Sequence, residues 1–235
     1  GVVMQAGLIQ KVGNTGVRNG VATTEIQNDQ FQNPTNGPLT VTYSVQGVTG
    51  AGCLGPVRNI VLTVEPTITV TPANNAPNIC SNGVTDIVLT SSTMPTSGVI
   101  TFDYTAVSSI GGQMTGFVPG LNNLPQGYQI ADNLVNNSDN AATVTYTITP
   151  RANGAKIGVG CIGNPVNVVV TVEPKPKLMA TPTIQTICES DGSNSTPTNI
   201  TLTSTTNPTA GTLQFAVVSA VPTGGMTLLS LTKTT

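Results

Sequence analysis

An internal repeat of about 108 residues is the feature that most limits how this chain of 235 residues can fold. Three pairs of positions are each separated by 108 residues: Cys53 and Cys161, Pro66 and Pro174, and Cys80 and Cys188. The flanking sequence repeats as well, because GCLGPVRNIVLTVEP at 52–66 resembles GCIGNPVNVVVTVEP at 160–174. A repeat of this size is as long as an ordinary domain, so the chain is predicted to be a row of similar domains.

Within each repeat, apolar residues alternate with other residues, many of them threonine. The apolar positions that share one face are Val166, Val168, Val170 and Val172 in the later copy and Ile60, Leu62 and Val64 in the earlier one. This two-residue period is typical of a strand with one buried face, and no window of comparable length has helical spacing. Tyr43 in VTYSV and Tyr146 in VTYTI are predicted to face the core from equivalent strands. The predicted fold class is all-β, with tandem immunoglobulin-like β-sandwich modules of about 108 residues.

The repeat also predicts module boundaries, because a proline follows the last strand of each copy and ends it. Residues 1–66 are predicted to be the C-terminal part of one β-sandwich module, 67–174 a complete module, and 175–235 the N-terminal part of a further module. A partial sandwich cannot cover its own apolar face. We therefore expect the partial modules to be completed by neighbouring modules of the same protein or by identical chains in a filament.

Composition argues against several classes of function. Only 8% of the residues are charged and the net charge is −2, so the chain offers no basic surface to nucleic acid. No stretch approaches the roughly 18 apolar residues of a membrane span, so membrane insertion is not expected. The chain contains no histidine and only 3% aromatic residues, which removes the commonest general base and most stacking platforms. No catalytic residue, cofactor or metal site is predicted, and the chain is not expected to be an enzyme.

The acidic residues are isolated, and the clearest examples near predicted strand ends are Asp86, Asp103, Asp132 and Asp139. Single acids at such positions are more typical of turns than of acid/base pairs. Calcium at Asp132 and Asp139 is a minor alternative, because this ion prefers several carboxylates in a tight group. Sequences that permit glycosylation occur at Asn136, Asn194 and Asn199.

Four cysteines in a chain without histidine predict an oxidising, extracytoplasmic setting rather than metal binding. No pair has the Cys-x-x-Cys spacing of a zinc site. The preferred disulfide joins Cys80 to Cys161, because both lie in the complete module, and it leaves Cys53 and Cys188 to pair with neighbouring modules or chains. In the competing scheme, which stays open here, Cys53 pairs with Cys80 and Cys161 with Cys188, joining successive modules.

Three phrases carry a resemblance to a known family: NNSDNAATVTYTITP at 136–150, GCIGNPVNVVVTVEPKP at 160–176 and TPTIQTICESDG at 181–192. They resemble the PKD-like repeats of very long Bacteroidetes cell-surface proteins, including the gliding-motility adhesin. The resemblance implies an extracellular stalk displayed on the cell surface and exported by type IX secretion.

Two functions follow as expectations. The first is a structural stalk or filament segment of a secreted, adhesin-like bacterial surface protein. The alternative is a carbohydrate- or polymer-binding β-sandwich module of an extracellular protein, with surface polysaccharide as its ligand. The loops around Tyr128 and at 151–160 are the candidate contacts for such a ligand, because the ends of sandwiches commonly carry binding sites.

Overall fold

The structure is a computed structural model, and it describes residues 1–13, 16–96, 98–153, 161–187 and 198–221. These residues form strands and connecting loops, with two short 3₁₀ turns at Glu25–Asn28 and Gly111–Gln113. The strands are β1 (Val2–Met4), β2 (Ile9–Val12), β3 (Gln30–Gln32), β4 (Leu39–Val48), β5 (Leu54–Val64), β6 (Thr71–Asn74), β7 (Asn78–Cys80), β8 (Gly83–Val84), β9 (Ile87–Thr90), β10 (Val99–Ser108), β11 (Met114–Thr115), β12 (Gly120–Pro125), β13 (Gln129–Ile130), β14 (Asn133–Asn136), β15 (Ala142–Asn153), β16 (Cys161–Ile162), β17 (Val166–Glu173), β18 (Met179–Thr181) and β19 (Thr201–Thr203). The all-β fold class is confirmed.

A β-sandwich occupies the middle segment, residues 67–174. One layer is a six-stranded sheet in the order β12-β10-β15-β17-β7, in which β16 also pairs with β15. The opposite layer consists of two three-stranded sheets, β11-β14-β8 and β13-β9-β6. The pairings are antiparallel except that β7 runs parallel to β17, where Asn78 lies opposite Thr171 and Cys80 opposite Glu173.

The core of this sandwich is built by the inward faces of both layers. Tyr146 and Ile148 on β15 and Val170 on β17 are fully buried, as are Ile87 on β9 and Leu134 on β14. All five belong to one continuous hydrophobic cluster, so the two layers share a single core. The alternation in the sequence thus places its apolar side chains between the layers, and its threonines outside.

The N-terminal segment, residues 1–66, contains the sheet β1-β4-β5 and the pair β2-β3. Its hydrophobic cluster is small, with Leu8, Val41 and Tyr43 as its buried members. Ile60 and Leu62 are 50% and 41% exposed, although the equivalent Val168 and Val170 in the middle segment are 8% and 0% exposed.

The expected burial of Ile60 and Leu62 is therefore incomplete. In the middle segment the equivalent strand is covered by the layer that contains β6 and β9. No matching layer covers β5 within the described residues. The strand period determines which side chains share a face, but the second layer determines whether that face is buried from solvent.

The C-terminal segment, which starts at residue 175, contributes the hairpin-like pair β18-β19. The register places Ala180 opposite Leu202, in the way that Pro72 lies opposite Leu89 in the β6-β9 pair. Leu202 is nevertheless exposed, whereas Leu89 is buried. Among the residues of this segment that the structure describes, the same local pairing therefore forms without the opposite layer that buries it in the middle segment.

Replacing Leu134 by alanine should lower the free energy of unfolding of the middle sandwich by about 2–5 kcal/mol, because the cavity lies in a fully buried site. The matched control is Val107→Ala on β10, which removes apolar atoms from a side chain that is 66% exposed. Urea denaturation followed by far-ultraviolet circular dichroism measures both. Equal effects of the two substitutions would contradict the assigned core.

Candidate functional site: buried polar groups at the ends of the sandwich

A buried tyrosine and a buried aspartate form a hydrogen-bonded pair in the middle segment. The Tyr146 hydroxyl, on the central strand β15, donates to Oδ2 of Asp132 at 2.8 Å. The N-terminal segment repeats the pair, because the Tyr43 hydroxyl donates to Oδ2 of Asp29, also at 2.8 Å. Both tyrosines are buried, which confirms the prediction that they face the core.

The surroundings of Asp132 explain how the sandwich holds a carboxylate in its interior. The backbone N–H of Val118 donates to the same carboxylate oxygen at 3.2 Å. The backbone N–H of Asp132 donates to the Thr85 hydroxyl at 2.8 Å, and that hydroxyl donates to the carbonyl oxygen of Ile130. A buried polar group is tolerated when hydrogen bonds replace those it made to water. The pair therefore ties three loops to β15.

Burial changes the acid–base chemistry of these tyrosines. Burial, and to a smaller extent the hydrogen bond to Asp29, raise the pKa of Tyr43 to about 12. Burial, and to a smaller extent the hydrogen bond to Asp132, likewise raise the pKa of Tyr146 above its ordinary value. A phenol with a raised pKa stays protonated at neutral pH, so it acts here as a hydrogen-bond donor and not as a base or nucleophile.

A second buried group, Asn136, clamps a turn onto the end of β17. Its side-chain nitrogen donates to the carbonyl oxygens of Val172 at 2.9 Å and Asn140 at 2.8 Å. Its side-chain oxygen accepts from the backbone N–H and the hydroxyl of Ser138. All four hydrogen-bonding positions of the amide are therefore used within the protein.

The N-terminal segment contains the same clamp, with Asn33 in the place of Asn136. The Asn33 nitrogen donates to the carbonyl oxygens of Val64 at 2.9 Å and Gly37 at 2.8 Å, and its oxygen accepts from Thr35. This role of the asparagine was not predicted from the sequence. The signal was available, because Asn-x-Ser/Thr occurs at 33–35 and 136–138, separated by the same 103 residues as Tyr43 and Tyr146.

The clamp also decides which of the glycosylation sequences is accessible. Asn136 is buried and its nitrogen is hydrogen-bonded, so the folded chain does not present it to a modifying enzyme. Asn199 is exposed. Asn194 lies outside the described residues.

The cysteines do not form the predicted bridge between Cys80 and Cys161, and both are free thiols. Cys80 lies opposite Glu173, beyond the Ala142 end of β15, while Cys161 lies opposite Ala152 near the other end. Ten residues of strand separate Ala142 from Ala152, or roughly 33 Å, whereas a disulfide needs Cα atoms within about 7 Å. The expectation was wrong for this fold because membership of one module does not place two residues at the same end of it.

The remaining cysteines are not linked in the part of the chain that the structure describes. Cys53 is an exposed free thiol in the loop between β4 and β5, and Cys188 lies outside the described residues. Pairing of Cys53 and Cys188 with neighbouring modules or chains stays a prediction. The scheme that joins successive modules is not formed in the described residues either, because Cys53, Cys80 and Cys161 are all free thiols.

The isolated acids bind other groups of the protein. Asp103 forms an ion pair with Arg151, and Asp86 accepts a hydrogen bond from Gln129 at 2.8 Å. Asp139 forms an ion pair with Lys177, and the hydrogen bonds from Lys177 and Thr205 lower the pKa of Asp139.

Asp132 and Asp139 do not form a calcium site in this arrangement. The Asp132 carboxylate accepts from Tyr146 and Val118, and the Asp139 carboxylate binds Lys177. The described residues contain no group of three or more histidine, cysteine or acidic side chains that could hold a metal ion.

The candidate ligand-binding surfaces offer little that could hold a sugar. The ring of Tyr128 is partly buried and packs against the core, and residues 154–160 of the second candidate loop lie outside the described part. A pocket of about 70 Å³ lies in the N-terminal segment, where Arg18 forms ion pairs with Glu25 at 3.0 Å and Asp29 at 3.3 Å. This volume is far below the several hundred Å³ of a typical small-molecule site.

Removing the Tyr146 hydroxyl by Tyr146→Phe should destabilise the middle sandwich by about 1–3 kcal/mol, because Asp132 loses a partner inside the core. Tyr128→Phe is the control, since it removes a hydroxyl from a tyrosine outside the pair. Urea titration of both variants gives the comparison. If Tyr146→Phe is as stable as the parent chain, the pair is not an anchor.

Stability should also fall at alkaline pH. The folded chain holds the pKa of Tyr43 at about 12, above the value of about 10 in an unfolded chain, so the unfolded state loses this proton first. The stabilisation is complete below about pH 10 and is lost as the pH rises towards 12. Ultraviolet titration of tyrosinate, with Tyr43→Phe as the comparison, tests this; ionisation of Tyr43 at its unfolded pKa would contradict it.

The comparison with protein families agrees with this architecture. Residues 77–176 match the family model of the PKD-like domain, which spans most of the middle segment. No curated protein matches the chain. No helix among the described residues is long and apolar enough to span a membrane. The β-sandwich of the middle segment is thus similar to the PKD-like domain, a type of module that is typical of extracellular proteins and is generally non-catalytic.

Proposed function

We propose that this chain is a segment of a structural stalk or filament of a secreted, adhesin-like bacterial surface protein, built from tandem PKD-like modules. In this proposal residues 1–66 belong to one module, 67–174 form a complete module and 175–235 begin a further one. Neighbouring modules of the same protein, or identical chains in a filament, complete the partial ones. Its location is extracellular, at the cell surface, after type IX secretion.

The observation that carries the proposal is the recurrence of the strand pairings of the middle sandwich, in matching register, in both neighbouring segments. Tyr43 lies opposite Ile60 in the β4-β5 pair, as Tyr146 lies opposite Val168 in the β15-β17 pair. The β18-β19 pair repeats the register of β6-β9 on the C-terminal side. Structural elements of the middle sandwich are thus found both before and after it.

The path of the chain supports an extended arrangement. The incoming chain at Ile68 lies against Gly163, where an added Cβ would come within 1.9 Å of the Ile68 carbonyl oxygen, and Gly163 is hydrogen-bonded to Pro150. The outgoing chain leaves β17 at Glu173, beyond the Ala142 end of β15. Entry and exit of the chain at opposite ends of β15 support a lengthwise arrangement of successive modules.

The chemistry of the described residues favours a mechanical role over catalysis or ligand binding. The side chains of the buried Asp132 and Asn136 form hydrogen bonds that connect loops to strands. The acids Asp86, Asp103 and Asp139 are bound to other side chains. These polar groups stabilise the ends of the sandwich, which is where a stalk under load needs its strands and loops held together.

Small-angle X-ray scattering of the monomeric chain tests the proposal. A lengthwise arrangement should give a radius of gyration well above the roughly 17 Å of a compact globule of this length. A value near that of a compact globule would contradict a stalk. A glycan array probed with the same chain tests the alternative, because selective binding would favour a carbohydrate-binding module, with surface polysaccharide as its partner.

A further inference from the structure

Two linkers connect the segments, residues 64–69 and residues 172–177, and each is called a passage below. The same hydrogen bonds span both passages. Each passage connects two surfaces. The trailing surface consists of the asparagine turn, 33–37 or 136–140, together with Glu65 or Glu173. The docking turn is a Ser-x-Thr-x-Pro-Thr sequence that follows in the next segment, at 91–96 or 204–209.

The first shared contact joins the backbones of the two surfaces. In the first passage the N–H of Met94 donates to the carbonyl oxygen of Asn36 at 2.7 Å. In the second the N–H of Asn207 donates to the carbonyl oxygen of Asp139, also at 2.7 Å. This contact needs no particular side chain, so different residues occupy these positions in the two passages.

The second shared contact uses a glutamate as the acceptor. Oε2 of Glu65 accepts the N–H of Thr96 at 3.0 Å, and Oε2 of Glu173 accepts the N–H of Thr209 at 2.9 Å. The Thr209 hydroxyl also donates to the other carboxylate oxygen of Glu173. Hydrogen bonds to an ionised acceptor are shorter and stronger than neutral ones. The Val-Glu-Pro sequence at the end of each copy therefore serves to capture the docking turn.

The third shared contact fixes the linker itself. The hydroxyl of Thr93 accepts the N–H of Thr69 at 3.2 Å, and the hydroxyl of Thr206 accepts the N–H of Lys177 at 3.0 Å. Both threonines are buried. The serine that begins each docking turn holds it in shape, because the N–H of Thr93 donates to the Ser91 hydroxyl and that of Thr206 donates to Ser204.

The asparagine clamp positions the trailing surface for these contacts. The side chain of Asn33 is bonded to the carbonyl oxygen of Val64, the residue before Glu65, and Asn136 is bonded in the same way to Val172. The turn that offers its backbone carbonyl and the strand end that offers its carboxylate are thereby held together. A change at the clamp would displace both acceptors at once.

The second passage contains contacts that the first lacks among the described residues, and one of them is an ion pair. Lys177 forms an ion pair with Asp139, but the equivalent positions in the first passage are Thr69 and Asn36. An exposed ion pair of this kind contributes little to stability. The shared contacts therefore define the joint, and the ion pair is an addition to one copy of it.

We infer that each trailing surface is a specific binding site for the Ser-x-Thr-x-Pro-Thr turn of the module that follows, so that successive modules meet at a joint of fixed geometry. This inference rests on the tandem organisation of the proposed function. It names the partner of the surface: the leading end of the next module. Domains joined by such short linkers move relative to one another unless their interface holds them. Here contacts from glutamate, threonine and the backbone hold the interface.

Hydrogen exchange of the full chain, measured residue by residue with NMR, tests the joint. Glu173→Ala should accelerate exchange at the Asn207 and Thr209 amides by about 10- to 100-fold, the range for a lost hydrogen bond to a charged group. Exchange at Thr96 should stay unchanged. Glu65→Ala should reverse this pattern. Glu173→Gln keeps an acceptor oxygen and should give an intermediate rate.

Asp86→Ala is the matched control, since it removes a hydrogen-bonded acid that does not reach across a passage. Protection of the Tyr146 amide on β15 shows that each variant is folded. Unprotected Thr96 and Thr209 amides in the parent chain, or no change in Glu173→Ala, would overturn the joint. That result would contradict the joint but not the stalk, because the chain could still be extended in small-angle scattering. A compact particle with protected amides would contradict the stalk but not the joint.

Discussion

The antiparallel pairing of β15 with β17 is the constraint on which the rest of the sandwich depends. It places Val144, Tyr146 and Ile148 beside Val170 and Val168 on one buried face, so that a single ladder supplies the centre of the core. The same pairing in β4 and β5 organises the N-terminal segment. Side chains alternate strictly along a strand, so a shift of one residue in this ladder would turn every apolar side chain outward.

Buried polar groups around the ladder give this core a defined shape. The Tyr146 hydroxyl donates to Asp132, whose carboxylate also accepts the backbone N–H of Val118 from another loop. Asn136 ties its turn to the last residues of β17. Since buried polar groups are stable only when every donor and acceptor is matched, these bonds select one arrangement of loops among many with similar apolar burial.

The use of polar side chains as structural contacts agrees with the proposed role. The side chains that would suggest a reactive site in another chain are used here to hold loops to strands and one segment to the next. Glu173 illustrates this, because its buried carboxylate binds the backbone and hydroxyl of Thr209. A protein that transmits force along its length depends on such cross-connections at the passages between modules, where no sheet is continuous from one segment to the next in the described residues.

The sequence by itself determined the all-β class, the repeat and the inward position of Tyr43 and Tyr146, because these depend on residue spacing along a strand. Tertiary structure alone decided that Cys80 and Cys161 lie at opposite ends of the sheet, that Ile60 stays exposed, and that Asn33 and Asn136 are buried clamps. Those outcomes depend on which distant strand or loop lies beside a residue, and the two-residue period of a strand contains no information about that partner.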